Sequence, residues 1–95
     1  MVQSGSTRVR LIVHGRVQGV GFRYAAREAA VEAGVSGWVR NLPDGTVEIV
    51  AQGTPEAVER LAEWAARGPR HAVVERVSRA RLEPEEGSID FAIAR

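Results

Sequence analysis

Residues 9–23 read VRLIVHGRVQGVGFR. Val9, Leu11 and Val13 alternate with Arg10 and Ile12, which predicts a half-buried strand. A glycine-rich loop follows, and the helical spacing of Phe22 and of the alanines after it predicts a helix that begins there. A short loop between a strand and the start of a helix leaves several backbone N–H groups unpaired. These groups point into one concavity, which is typical of anion sites and of phosphate sites above all.

Arg23 lies in the first turn of the predicted helix and adds a permanent charge to this loop. Its planar guanidinium matches two phosphate oxygens at once. A second interpretation, that the glycines only make a tight turn, stays open on pattern alone. A Walker loop is excluded because no lysine followed by serine or threonine comes after the glycines. The dinucleotide fingerprint is excluded too, because Tyr24 stands at the position of its third glycine.

The rest of the chain continues as alternating strand and helix patterns. The predicted elements are strands at 37–41, 46–52, about 73–82 and about 91–93, with a helix between Thr54-Pro55 and Gly68-Pro69. This order predicts an α+β fold, a ferredoxin-like βαββαβ sandwich in which two helices pack on one face of an antiparallel sheet, with a short extra C-terminal strand. We expect residues 1–7 to be a flexible leader and residues 8–95 to be one domain.

Composition narrows the class of protein. The 95 residues contain no cysteine, which excludes a disulfide framework and a thiolate nucleophile. No apolar run approaches the roughly 20 residues that span a bilayer, and no signal peptide is evident. The net charge is only +1, although all 13 basic residues are arginine, so no general basic field favours nucleic acid. We therefore expect a soluble, cytoplasmic protein.

Topology places Asn41 at the same site as the glycine loop. A strand–helix–strand crossover returns its second strand parallel to the first, so both strands end at one edge of the sheet. The first strand ends at the loop and the second ends at Asn41, which should therefore lie near Arg23. An asparagine amide both donates and accepts hydrogen bonds, so Asn41 is suited to hold a water for attack. Capping of the turn before Pro43 is an equally open interpretation.

Three segments, GRVQGVGFR at 15–23, GWVRN at 37–41 and DGTVE at 44–48, closely resemble the acylphosphatase family. The resemblance implies a small, metal-independent enzyme that hydrolyses the carboxyl–phosphate anhydride of acyl phosphates. It implies that Arg23 and Asn41 are the catalytic residues, with Asn41 orienting the water. It also implies that backbone amides bind the substrate phosphate in a loop formed by Gly15, Arg16, Val17, Gln18, Gly19 and Val20.

The chain departs from one feature of the family, because Leu42 follows Asn41 where some members carry threonine. The same motif also occurs in an N-terminal domain of hydrogenase-maturation proteins. A non-catalytic anion-binding module is the alternative function, since it would need the same loop. As partners we expect a small acyl phosphate and its product, inorganic phosphate, but no nucleic acid and no membrane. We further expect a monomer that uses no cofactor and no metal.

Overall fold

The computed structural model describes residues 6–95, and its elements follow the predicted order. They are β1 (Thr7–Arg16), α1 (Phe22–Ala33), β2 (Ser36–Asn41), β3 (Val47–Gly53), α2 (Pro55–Arg67), β4 (Val73–Leu82) and β5 (Phe91–Ile93). The predicted βαββαβ sandwich with a C-terminal strand is thereby confirmed. Thr7, which the sequence assigned to the leader, already belongs to β1 and pairs with Gly53. Residues 1–5 of that leader lie outside the described residues.

The sheet has the strand order β4-β1-β3-β2-β5. Both β1 and β2 pair antiparallel with β3, which lies between them, so β1 and β2 run in the same direction. This is the predicted crossover geometry, and it places the C-terminal ends of β1 and β2 at one edge of the sheet. The glycine loop follows β1 at this edge, and Asn41 ends β2 there.

The added strand β5 pairs with β2 in parallel, so the sheet is mixed at this side and not wholly antiparallel. The reason is the point at which the chain leaves β4. Leu82, the last residue of β4, pairs with Arg8 near the beginning of β1. The chain then crosses along the end of the sheet where β1 and β2 begin, and β5 starts at that end. A strand that starts there runs in the direction of β2.

Both helices pack on one face of the sheet and enclose a single hydrophobic core. Helix α1 turns Phe22, Ala26 and Ala30 inward at a spacing of four residues, and the small alanines let the helix approach the strands. The ring of Phe22 meets Trp64 of α2 edge-on, with 5.2 Å between ring centroids. Burial of a phenylalanine side chain contributes about 1.5–3 kcal/mol, so this contact fixes the start of α1, where the glycine loop ends.

The opposite face of the sheet carries a buried charge on β3. Glu48 is only 3% exposed, and its carboxylate accepts hydrogen bonds from Arg10 of β1 and, at 2.7 Å, from Nε of Arg40 of β2. The guanidinium of Arg40 also lies over the ring of Trp38, 4.9 Å from its centroid. Three neighbouring strands are therefore joined by one carboxylate close to the C-terminal end of β2.

Candidate active site

The two helices begin differently. Helix α2 starts with a side-chain cap, because Oγ1 of Thr54 accepts a hydrogen bond of 3.1 Å from the amide of Ala57. Helix α1 starts at Gly21, which is left-handed with φ 79° and offers no side-chain cap, and its first turn contains no acidic residue. The N–H groups of this turn therefore keep their partial positive charge without a compensating group. This end of α1 suits an anion.

The glycine loop runs from the end of β1 at Arg16 to Gly21. Gly19 and Gly21 both have positive φ, 74° and 79°, and a side chain at either position would meet no atom within 4 Å. In the part of the chain that the structure describes, the amides of residues 18–21 donate no hydrogen bond to protein atoms. Open space thus lies beside a run of unpaired N–H donors, which is the arrangement that binds phosphate oxygens.

Two contacts hold the loop in place from behind. Val17 is buried in the core, and Val20 packs against it. Gly15 lies where the pairing of β1 with β4 shifts register, and a Cβ there would lie 2.1 Å from the carbonyl oxygen of Val73. The end of β1, from which the loop extends, therefore packs directly against the backbone of β4. Gly15 and Arg16, which the sequence placed in the loop, are the last two residues of β1.

Arg23 is half-buried in the first turn of α1. Among residues 6–95, its guanidinium forms no hydrogen bond and no ion pair. Arg8, Arg10, Arg40 and Arg79, in contrast, are paired with acidic side chains. The fork of Arg23 therefore keeps its donors for a ligand at the start of α1.

Asn41 ends β2 and pairs with Val47 across the hairpin. Its side-chain oxygen Oδ1 is buried and, within the described residues, has no hydrogen-bond partner. A buried acceptor without a partner costs about 1–3 kcal/mol, so such an atom is a site that a ligand or a water fills. The turn is capped instead by Asp44, whose Oδ1 accepts hydrogen bonds from the amide and, at 2.5 Å, from the hydroxyl of Thr46. The capping role weighed for Asn41 thus belongs to Asp44.

The loop and the hairpin are joined by one side chain. Nε2 of Gln18 donates to the carbonyl oxygen of Leu42 at 2.8 Å and to that of Thr46 at 2.9 Å. Leu42 directly follows Asn41, so the glycine loop touches the end of β2, as the topology predicted. The described residues show no hydrogen bond between Arg23 and Asn41 themselves. Their catalytic roles, and the binding roles of the loop residues, stay predictions.

Sequence analysis missed two of these contacts. Asp44-Gly45-Thr46 is a local pattern, because an aspartate often accepts a hydrogen bond from the backbone two residues later, so the cap was open to prediction. The side chain of Gln18 gave no such signal, since its partners lie 24 and 28 residues away. Long-range partners of this kind depend on the sheet register.

In the described part of the chain, neither His14 nor a group of metal-ligating side chains forms a second site. His14 lies near the end of β1 and contacts side chains of the neighbouring strand β4. Its Nε2 is 3.3 Å from the hydroxyl of Ser78, and its Nδ1 is 3.5 Å from the guanidinium of Arg76. Over residues 6–95, no three histidine or acidic side chains are grouped to hold a metal ion. Neither helix in this range has the length and apolarity to cross a bilayer.

The chain is an α+β sandwich whose uncapped helix start and open amide loop suit an anion. Comparison with known proteins defines its family. The acylphosphatase family model matches residues 9–93. An acylphosphatase from Gloeobacter violaceus is 52% identical over 90 residues, 95% of this chain and 96% of that protein. One from Thermococcus kodakarensis is 56% identical over 78 residues, 82% of this chain and 86% of that protein.

The fold agrees with this match. The crystal structure of acylphosphatase from Bacillus subtilis has a TM-score of 0.89 to this chain at 38% identity, with 94% of this chain and 99% of that chain covered. The chain belongs to the acylphosphatase family, which is a family of hydrolases.

Proposed function

We propose that the protein hydrolyses the carboxyl–phosphate anhydride of small acyl phosphates, with the glycine loop as phosphate site and Asn41 as the ligand of the attacking water. The observation that carries this proposal is the buried Oδ1 of Asn41, which has no hydrogen-bond partner among residues 6–95 and lies at the end of the strand that the loop contacts. The family membership and the acylphosphatases at about half identity support the reaction.

Binding rests on Arg23 and on the predicted loop at residues 15–20, in which the amides of residues 18–20 donate to no protein atom among the described residues. A phosphoryl group presents several charged oxygens, and amide donors together with one guanidinium neutralise that charge from fixed positions. Since the loop is held from behind by Val17 and by the close approach of Gly15 to β4, its donors need little reorganisation when charge develops. Such fixed donors stabilise the transition state more than the ground state.

The chemical step needs an oriented water and a good leaving group. Oδ1 of Asn41 accepts a hydrogen bond from one O–H of the water, so that a lone pair of the water oxygen faces phosphorus. The new P–O bond forms as the bond between phosphorus and the acyl oxygen breaks, and that electron pair leaves with the carboxylate. The water proton passes to an oxygen of the phosphate product. Because a carboxylate leaves without a strong acid, positioning and charge stabilisation suffice for the reaction.

We infer that the enzyme works without metal or cofactor, since loop amides and Arg23 supply the positive field that a cation otherwise provides. We further propose that it works as a monomer. A cytoplasmic location fits an acyl phosphate substrate and a chain without cysteine. Inorganic phosphate is the product and therefore a competitive ligand of the same loop.

Hydrolysis of benzoyl phosphate in EDTA tests the proposal, with Asn41→Ala and Arg27→Ala assayed beside the parent. Arg27 is exposed on α1, about one turn beyond Arg23, and serves as the control. We expect saturable turnover in the parent and in Arg27→Ala, and a loss of kcat in Asn41→Ala with phosphate inhibition retained. An inactive parent that still binds phosphate would instead identify a non-catalytic anion-binding module.

A further inference from the structure

The turn that follows Asn41 is closed by two carbonyl oxygens that each accept two hydrogen bonds. The carbonyl of Leu42 accepts from the amide of Gly45 at 3.1 Å and from Nε2 of Gln18 at 2.8 Å. The carbonyl of Thr46 accepts from the amide of Leu42 at 2.9 Å and from the same Nε2 at 2.9 Å. Both hydrogens of the Gln18 amide are therefore used, one for each carbonyl that closes the turn.

The geometry demands a particular side chain at position 18. The donor must carry two N–H groups on one nitrogen and reach from the loop to the turn. A glutamate of the same length has acceptors in place of donors, and a methionine has neither. In residues 6–95, the two bonds of Gln18 are the hydrogen bonds that join the loop at 17–21 to the turn at 42–46.

We propose that Gln18 is a positioning residue whose side chain holds Asn41 in register with the phosphate loop. This inference rests on the function proposed above. The loop fixes where the phosphorus atom lies, and the end of β2 fixes where the water lies, so the distance between them depends on what joins these two segments. The backbone amide of Gln18 is part of the loop, while its side chain donates hydrogen bonds to the hairpin turn. One residue thereby sets the position of the nucleophile relative to the electrophile.

The effect on rate follows from the sensitivity of in-line attack to position. A displacement of about 1 Å between reacting groups costs on the order of 10²-fold in rate. Gln18→Met keeps the length of the side chain and leaves the loop amides in place. We therefore expect kcat for benzoyl phosphate to fall by roughly 10- to 10²-fold, with the inhibition constant of inorganic phosphate changed by no more than about twofold.

A double-mutant cycle with Asn41→Ala separates positioning from general structural support. If Gln18 acts through Asn41, Gln18→Met lowers kcat in the parent but causes no further fall when Asn41 is already alanine. A residue that only stabilises the fold or the loop would lower kcat by the same factor in both backgrounds, and that result would overturn the inference. Gln18→Asn, whose amide is one methylene shorter, repeats the cycle should Gln18→Met fail to fold.

Amide hydrogen exchange supplies a readout that needs no substrate. Gln18→Met should speed exchange at Leu42, because the turn opens more readily without the two bonds of Gln18, but not at Ala57 in the cap of α2. Unchanged exchange at Leu42 would contradict the proposed contact. An active parent with an additive cycle refutes this inference alone. A parent without acylphosphatase activity, or an Asn41→Ala variant as active as the parent, refutes the proposed function and with it the role of Gln18.

Discussion

Gly15 lies directly against the backbone of Val73, so close that a Cβ on Gly15 would stand 2.1 Å from the Val73 carbonyl oxygen. The contact occurs where the register between β1 and β4 shifts, and Gly15 has φ 131° there. Both the space and the backbone angle therefore require glycine. Because the loop follows β1 directly after Arg16, β4 supports the strand end from which the predicted phosphate loop extends.

Gly15→Ala should therefore unfold far more readily than the parent and lose phosphate binding. Gly19→Ala is the matched control, because a side chain at Gly19 meets nothing within 4 Å and only the positive φ is strained. The strain at Gly19 should lower the free energy of unfolding by about 1–2 kcal/mol. Urea denaturation of both variants measures the difference. Equal destabilisation of the two would show that the contact with Val73 is not tight.

Arg23→Ala should weaken phosphate binding and lower kcat together. Arg23 is half-buried in the first turn of α1 and has no acidic partner among the described residues. Its removal subtracts a donor from the bound ground state and, because the guanidinium stabilises the developing charge more strongly, a larger stabilisation from the transition state. The loss of one such charged donor costs on the order of 10²–10³ in kcat/KM. Arg23→Lys should recover only part of it, because an ammonium lacks the planar fork. Steady-state kinetics with phosphate as inhibitor checks both effects.

Glu48→Gln should destabilise the sheet by more than an exposed charge would. The carboxylate is buried and pairs with Arg10 and Arg40, but the side chains of these arginines are 43% and 41% exposed, so solvent screens much of the interaction. We expect a loss of about 1–2 kcal/mol in the free energy of unfolding. Glu59→Gln, which breaks the exposed pair with Arg79, is the control and should cost less than about 1 kcal/mol. Equal losses in urea denaturation would contradict the network.

Asp44 should make the hairpin sensitive to acid. The hydroxyl and the amide of Thr46 donate to its carboxylate and lower its pKa from the ordinary value of 3.8. Because the pKa of Asp44 is lowered in the folded state, its ionised carboxylate stabilises the fold fully above pH 3.8. This stabilisation is lost as the pH falls through the pKa of Asp44 in the folded protein. The stability difference between the parent and Asp44→Ala should therefore shrink below that pH. A difference that stays constant into stronger acid would exclude this linkage.

The sequence predicted the element order because each element carries its own local pattern, as the cap at Thr54 and the alternation in β3 show. The meeting of the loop with Asn41 was predictable as well, since the handedness and direction of a crossover follow from chain geometry. The parallel pairing of β5 was not predictable, because it depends on the end of the sheet at which β4 ends. The partners of Gln18 lie across the fold and carried no local signal.

The contact between Gly15 and Val73 has a consequence for the order in which the protein matures. A chain grows on the ribosome from its N-terminus, so the predicted phosphate loop emerges long before the strand that supports it. β1 cannot complete its pairing until the residues of β4 have left the exit tunnel, and contacts of such long sequence separation form slowly. A nascent polypeptide that stops before Val73 therefore carries every predicted catalytic residue without a functioning site.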